Sequence, residues 1–251
     1  HVVGKDIIRF HAIFWPAFLM AADLSPPKQI VAHGWWTNEG QKISKSLGNV
    51  IDPNELINVY GLDSIRYFLF REVPFGNDGD FSKLAIKNRI NGELANNYGN
   101  LIQRILSFIY KNLEQNIKLT VENYDFDILK QINESEAELF KFIENYKFDE
   151  YLKKLFSFMN DLNNYVDKTA PWALKKTDPE EMKRVLANIS LCIIRVTQYL
   201  SPFIPLKSRE VFKLFDNLDD IDLFHFDNFE KIKSLNHFKI NKPEPLFTKI
   251  E

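Results

Sequence analysis

Lys42-Ile43-Ser44-Lys45-Ser46, entered through Gly40-Gln41 and left through Leu47-Gly48-Asn49, sets two lysines and two serines between glycines. Glycine opens backbone conformations closed to other residues and lets a phosphate come close. Each lysine is a compact charge with three donors, suited to a shifting polyphosphate more than to a planar carboxylate. Serine hydroxyls and unpaired backbone N–H groups supply further donors. An exposed Lys/Ser turn would carry the same letters. Position favours the phosphate loop, because the segment follows the strand-like run Ile30-Val31-Ala32-His33-Gly34 and precedes a helix start at Asp52-Pro53.

Toward the N-terminus, residues 5 to 21 read as a helix. Ile7, Phe10, His11, Phe14 and Trp15 fall at helical spacing and share one side. Such a stripe serves a core or a pocket. The imidazole among the rings suits a pocket, and a thioether would pack well against ring edges. Gly4 and Asp6 stand where the preceding strand ends, which is where ligands sit in doubly wound folds. Asp6 could accept hydrogen bonds from ribose hydroxyls, or meet the helix dipole.

Toward the C-terminus, Asn38-Glu39-Gly40 signals a hairpin turn. Asp52 as N-cap and Pro53 at the first position open a helix, Gly61 ends it, and Leu62 to Glu72 reads as another. Pro74, Gly76 and Gly79 interrupt the chain, and Asp80-Phe81 suits a short strand. From Ser82 the pattern is helical, over 82 to 116, 126 to 146, 148 to 168, 179 to 200 and 206 to 215. Val185, Ile189, Cys192, Val196 and Tyr199 are spaced for a bundle core. Residues 236 to 251, with Pro243 and Pro245, read as an extended tail.

A chain of 251 residues allows one or two domains. Hydrophobic content of 45% and charged content of 26% describe an ordinary soluble globular chain, and 22 Phe against 9 Gly favours packed helices. The net charge of −2 gives no global attraction to nucleic acid, so any RNA contact must come from local placement. Cys192 is the only cysteine, which excludes an internal disulfide and a Cys-rich zinc site. A reducing, cytoplasmic setting fits. The apolar run 12 to 22 falls well short of a membrane span. The missing initiator Met points to a chain that starts inside a larger protein.

Asn100 and Arg104 are four apart on one helix and so neighbours on its surface. Trp172 follows Pro171 at a break between helices. An aromatic plane with Asn and Arg edges can splay and read single-stranded bases. A solvated Asn/Arg face and a core Trp would show the same letters.

The lysine loop resembles the KMSKS signature of class I aminoacyl-tRNA synthetases, with Ile43 in place of the usual Met. Val3-Gly4-Lys5-Asp6-Ile7, Phe10-His11, Phe14-Trp15-Pro16 and His33-Gly34 are similar to the methionyl-tRNA synthetase family in particular, and the likeness extends to Leu246-Phe247. The resemblance implies a mostly α fold in four parts. These are the C-terminal part of a Rossmann-like α/β catalytic domain (1–35) and a KMSKS loop with a small stem-contact α/β unit (36–81). An α-helical anticodon-binding bundle (82–235) and an extended C-terminal tail (236–251) follow.

By the same resemblance, Gly4, Asp6, His33, Gly34 and Lys45 are expected to contact ATP. Ile7, Phe10, His11, Phe14 and Trp15 are expected to enclose methionine, and Lys42, Ser44, Lys45 and Ser46 to serve catalysis. Asn96 to Arg104 and Ala170-Pro171-Trp172 match anticodon-binding motifs, which implies Asn100, Arg104 and Trp172 as readers of the CAU anticodon. The expected partners are tRNA(Met), methionine, ATP with Mg2+ as substrate, and the missing N-terminal half of the same enzyme. No metal site and no membrane are expected. The family's HIGH signature is absent, since His11-Ala12-Ile13-Phe14 differs in character. The chain alone is therefore expected to be inactive, and its half-sheet to leave an unpaired edge. A non-catalytic helical tRNA-binding module and a purely structural helical protein are the alternatives.

Overall fold

Strand β1 (Val2–Gly4) pairs in parallel with β2 (Val31–His33), setting Gly4 opposite His33. The computed structural model describes residues 1–218, 221–232 and 235–250, and the side chains of Lys45, Val121 and Asp125 lie outside the description. Between the two strands, the helix expected over 5 to 21 is composite. A 3-10 turn at Lys5–Ile7 leads into a π-helical turn at Phe10–Phe14 and then α1 (Trp15–Ala21). Phe10 packs against Phe14 and His11 against Trp15, at ring separations of 5.9 and 6.0 Å, so the rings form two rows. Both contacts join residues four apart, as neighbours on one helical face are, although the turn that holds them is π-helical and not α-helical.

Strands β3 (Trp36–Asn38) and β4 (Gln41–Lys42) form the expected hairpin. Its turn holds Glu39 at φ 50° and Gly40 at φ 77°, the paired positive values that tight hairpins require. On its other edge β3 takes β5 (Gly79–Phe81) in parallel. Asp52 caps α2 (Pro53–Tyr60) by accepting from Asn54 N–H, and Gly61, at φ 82°, separates it from α3 (Leu62–Arg71).

Helices occupy 64% of the chain, about twice the usual share. The bundle begins with α4 (Lys83–Arg89), capped by the Ser82 hydroxyl, and runs through a π-helical segment, Ile90–Gly99, into α5 (Asn100–Asn112). It continues after strand β6 (Asn116–Lys118) with α6 (Asp127–Glu134), α7 (Glu136–Glu144), α8 (Phe148–Thr169) and α9 (Pro171–Thr177). Helices α10 (Pro179–Leu200), α11 (Pro205–Phe212) and α12 (Phe229–Ile232) complete it, followed by strand β7 (His237–Lys239).

Four helical expectations need adjustment. The helix drawn over 126 to 146 is split at Ser135, whose hydroxyl donates to Ile132 O in a local turn. The helices drawn to 116 and 215 end at Asn112 and Phe212. Pro171 opens a short helix, α9, where only a break was expected. Within the tail, β7 is extended as expected and pairs antiparallel with β6.

Helix α10 is the centre of the core. Every residue from Val185 to Leu200 is buried, where a single bundle-facing stripe was expected. A helix buried all round must satisfy its polar side chains internally. Asn188 accepts from Asn123, Thr197 donates to Ile193 O and pairs with Tyr98, and Ser190 donates to Leu186 O. Arg195 donates to Glu136, Asn133 and Phe226 O. Burial also pushes the Cys192 thiol well above its ordinary pKa.

Candidate functional site

The ends of β1 and β2 bring three expected residues together. A Cβ on Gly4 would lie 2.5 Å from Asp6 Oδ1 and 3.7 Å from His33 Cε1, so a side chain at residue 4 would push the Asp6 carboxylate from this position. His33 Nδ1–H donates to Gly34 O at 2.9 Å, which fixes the ring tautomer and leaves Nε2 as an acceptor. Gly34 is required for a different contact: a Cβ there would sit 1.9 Å from Asn77 O, where the 74–78 loop lies against it.

That loop carries Asp78. Its carboxylate accepts from Lys5 Nζ at 2.5 and 2.7 Å and from Trp35 N–H at 2.8 Å. The Lys5 ammonium and the Trp35 N–H hold the Asp78 carboxyl below its ordinary pKa. Lys5 Nζ lies 4.4 Å from the centre of the Trp35 ring, and Lys42 Nζ lies 5.9 Å from the same ring. The first residue of the lysine signature is thereby linked to the turn that follows Gly4.

The loop beyond Lys42 is folded on itself. Asn49 donates to Lys42 O and accepts from Ser44 N–H, while its own carbonyl accepts from Asn38. The Ser44 and Ser46 hydroxyls are 2.7 Å apart, Leu47 N–H donates to Ser44 O, and Gly48 takes φ 65°. Lys45 opens a 3-10 turn, and its side chain lies outside the described residues.

Of the residues expected around methionine, Phe10 is 58% exposed, and Ile7 and Phe14 are also exposed. His11 and Trp15 are half-buried. His11 Nδ1–H donates to Ile7 O at 3.0 Å, again leaving Nε2 as an acceptor. Trp15 meets His1 edge-on at 4.6 Å.

On the bundle, Arg104 stacks its guanidinium 5.1 Å over the ring of Trp172, which is 44% exposed. Arg104 also donates to Asp167 at 3.1 Å. Trp172 owes its place to Ala170, which ends α8 in a left-handed conformation (φ 43°), and to Pro171, which opens α9. Asn100 is exposed one turn before Arg104 and borders a cavity of about 160 Å³ shared with Gln103, Leu246 and Phe247. Asn97 links to Asn160 and Asn163 close by.

Residues 1–106 match the family profile of class I tRNA synthetases (M), and residues 125–248 match the anticodon-binding domain of tRNA ligase. A methionine–tRNA ligase of Rickettsia felis is 47% identical over 216 residues, covering 84% of this chain and 42% of the relative. One from Campylobacter jejuni is 44% identical over 253 residues, covering 100% of this chain and 40% of the relative. The crystal structure of Mycobacterium tuberculosis methionyl-tRNA synthetase bound by methionyl-adenylate matches with a TM-score of 0.88 and 32% identity, over 99% of this chain and 49% of that one.

The chain belongs to the methionyl-tRNA synthetase family. It spans about two fifths of the length of the curated relatives it matches. Four side chains of this family member that sequence reading passed over now stand out: Lys5, Trp35, Asn49 and Asp78. Asn49 had a local signal, since Gly-Asn after a polar loop is turn chemistry. Asp78 had none, being 73 residues from Lys5. Among the described residues, no helix is long and apolar enough to cross a membrane.

Proposed function

We propose that the chain is part of a methionine–tRNA ligase that activates methionine with ATP and transfers it to tRNA(Met). The observation that carries this reading is the pairing, in one chain, of the class I synthetase match at 1–106 with the anticodon-binding match at 125–248. In this reading residues 1–35 belong to the catalytic domain, 36–81 to the KMSKS loop and stem-contact unit, 82–235 to the anticodon-binding bundle, and 236–251 to the tail. A cytoplasmic setting fits this work.

In the first step a methionine carboxylate oxygen bonds to the α-phosphorus of ATP. The bond to the bridging oxygen breaks, and pyrophosphate leaves with the electron pair. Positioned cations that meet this charge are each worth a few kcal/mol, on the order of 10²–10³ in rate. Lys42 and Lys45 take that role, with Ser44 and Ser46 shaping the loop and Mg2+ arriving with its nucleotide. Gly4, Asp6, His33 and Gly34 receive the nucleoside. His11, with its free Nε2, and Ile7, Phe10, Phe14 and Trp15 wall the methionine side chain. The acyl group then passes to the terminal ribose hydroxyl of tRNA, displacing AMP. Asn100, Arg104 and Trp172 hold the anticodon.

We further propose that this chain alone does not activate methionine and needs an N-terminal segment of the same enzyme to do so. Methionine-dependent ATP–pyrophosphate exchange tests the whole reading. Activity is expected from a chain joined to that segment and not from residues 1–251 alone, and Lys45→Ala should depress it at least about tenfold. Unchanged exchange in Lys45→Ala would overturn the assignment of the loop.

A further inference from the structure

We propose that Asp78 is a positioning residue for nucleotide binding, holding Lys5 and Trp35 so that the hairpin carrying Lys42 enters the site at a fixed height. The inference rests on the reading of Lys42 as a phosphate contact.

Three segments distant in sequence meet at this carboxylate. Asp78 accepts from Lys5 Nζ with both oxygens and from the backbone N–H of Trp35 with Oδ1. The neighbouring backbone locks the same joint. Gly79 N–H donates to Trp35 O at 2.8 Å, Trp36 pairs with Gly79 in register, and the Asn77 carbonyl fills the space beside Gly34. Trp35 is thus held by its backbone on both sides while the residue as a whole stays 48% exposed.

The ring lies within reach of two cations, Lys5 at 4.4 Å and Lys42 at 5.9 Å. Two ammonium groups on one indole repel each other unless a counter-charge offsets one of them. Asp78 supplies that charge to Lys5, while Lys42 has no carboxylate partner among the described residues and faces an incoming polyphosphate. Without Asp78, Lys5 would be free to compete for phosphate at the wrong point, and the ring would lose its anchor to the 74–79 loop. The ion pair itself is half-exposed, so its value as stability is small. Its effect is on geometry and on which lysine is free.

The test uses a synthetase chain that contains these residues and exchanges pyrophosphate. Asp78→Asn keeps an acceptor for Trp35 N–H and loses the charge. Lys5→Met keeps the stem over the ring and loses the ammonium. Each is expected to raise the ATP KM about tenfold, with the methionine KM changed by less than about twofold. The double variant should be no worse than either single one, because both break the same pair, and Asp78→Glu should recover part of the loss. An ATP KM within about twofold of wild type in both single variants, while Lys42→Ala raises it, overturns the inference and leaves the loop assignment intact. An ATP KM unmoved by Lys42→Ala overturns the loop assignment and the inference with it. If circular dichroism shows Asp78→Asn misfolded, Lys5→Met, at a half-exposed side chain, carries the test alone.

Discussion

The side-chain amide of Asn49 donates to the carbonyl of Lys42 at 3.0 Å, and its oxygen accepts from Ser44 N–H at 2.9 Å. One residue thereby continues the β3–β4 hairpin past its last strand pair and closes the loop that carries the signature lysines. Asn49→Ala removes both bonds, and Asn49→Asp removes the donor while keeping the acceptor. We expect pyrophosphate exchange to fall about tenfold to a hundredfold in Asn49→Ala, mainly in kcat, and less in Asn49→Asp. Equal rates in all three proteins would show that the loop needs no clamp.

On the bundle, the Arg104 guanidinium and the exposed Trp172 ring form a ready stacking platform. Trp172→Ala is expected to weaken binding of an anticodon stem-loop by about 1–3 kcal/mol, read by fluorescence anisotropy. Asp167, the carboxylate paired with Arg104, works against RNA by its charge. Asp167→Asn should tighten the same complex and steepen its salt dependence, where Arg104→Ala should flatten it.

Ala170 ends α8 at φ 43° and ψ 63°, a left-handed conformation that glycine takes without Cβ strain. Its following proline already disfavours many alternatives. Ala170→Gly should raise stability by up to about 1 kcal/mol, equivalent to a Tm gain of roughly 2–4 °C for a chain of this size. A lower Tm by calorimetry would show that unfolded-state entropy outweighs the strain.

Burial raises the Asp63 carboxyl above its ordinary pKa, against the opposing pull of the Lys207 and Leu206 N–H groups and of Arg66 and Lys207. The folded chain therefore holds this proton more tightly than the unfolded chain. The stability it contributes is present below the ordinary carboxyl pKa and is lost as pH rises through the raised folded value. Asp63→Asn keeps an acceptor for Lys207 N–H, which Asp63 Oδ2 meets at 2.6 Å. The variant should match or exceed the wild-type Tm at neutral pH, and the difference should shrink in acid. A wild-type advantage that grows toward neutral pH would contradict this.

Local chemistry made much of the chain legible. Asp52-Pro53, Gly61 and Ser82 mark helix boundaries because capping and breaking act within one turn of chain. The turn Glu39-Gly40 was readable for the same reason. Helical periodicity placed a helix at Phe10–Phe14 and could not show that its turn is π-helical. It failed on α10, whose polar residues look solvent-facing in sequence and are buried in pairs with Asn123, Tyr98 and Glu136.

The tail shows the same division. Leu246 is buried, and the Phe247 ring lies 3.5 Å from where a Cβ on Gly99 would stand. The mutual bonds between Asn91 and Ile250, 159 residues apart, had no signature that periodicity or composition could carry.

What the amino-acid order alone determined is the family signature around Lys42 to Ser46, the helix boundaries at Asp52-Pro53, Gly61 and Ser82, and the placing of Asn100 with Arg104 on one surface. These depend on side chains within about one helical turn of each other, whose energetics act locally whatever the rest of the chain does. Only the tertiary structure decided that Trp172 meets Arg104 and that Asp78 meets Lys5 and Trp35, because those contacts form when packing of separate elements closes long loops.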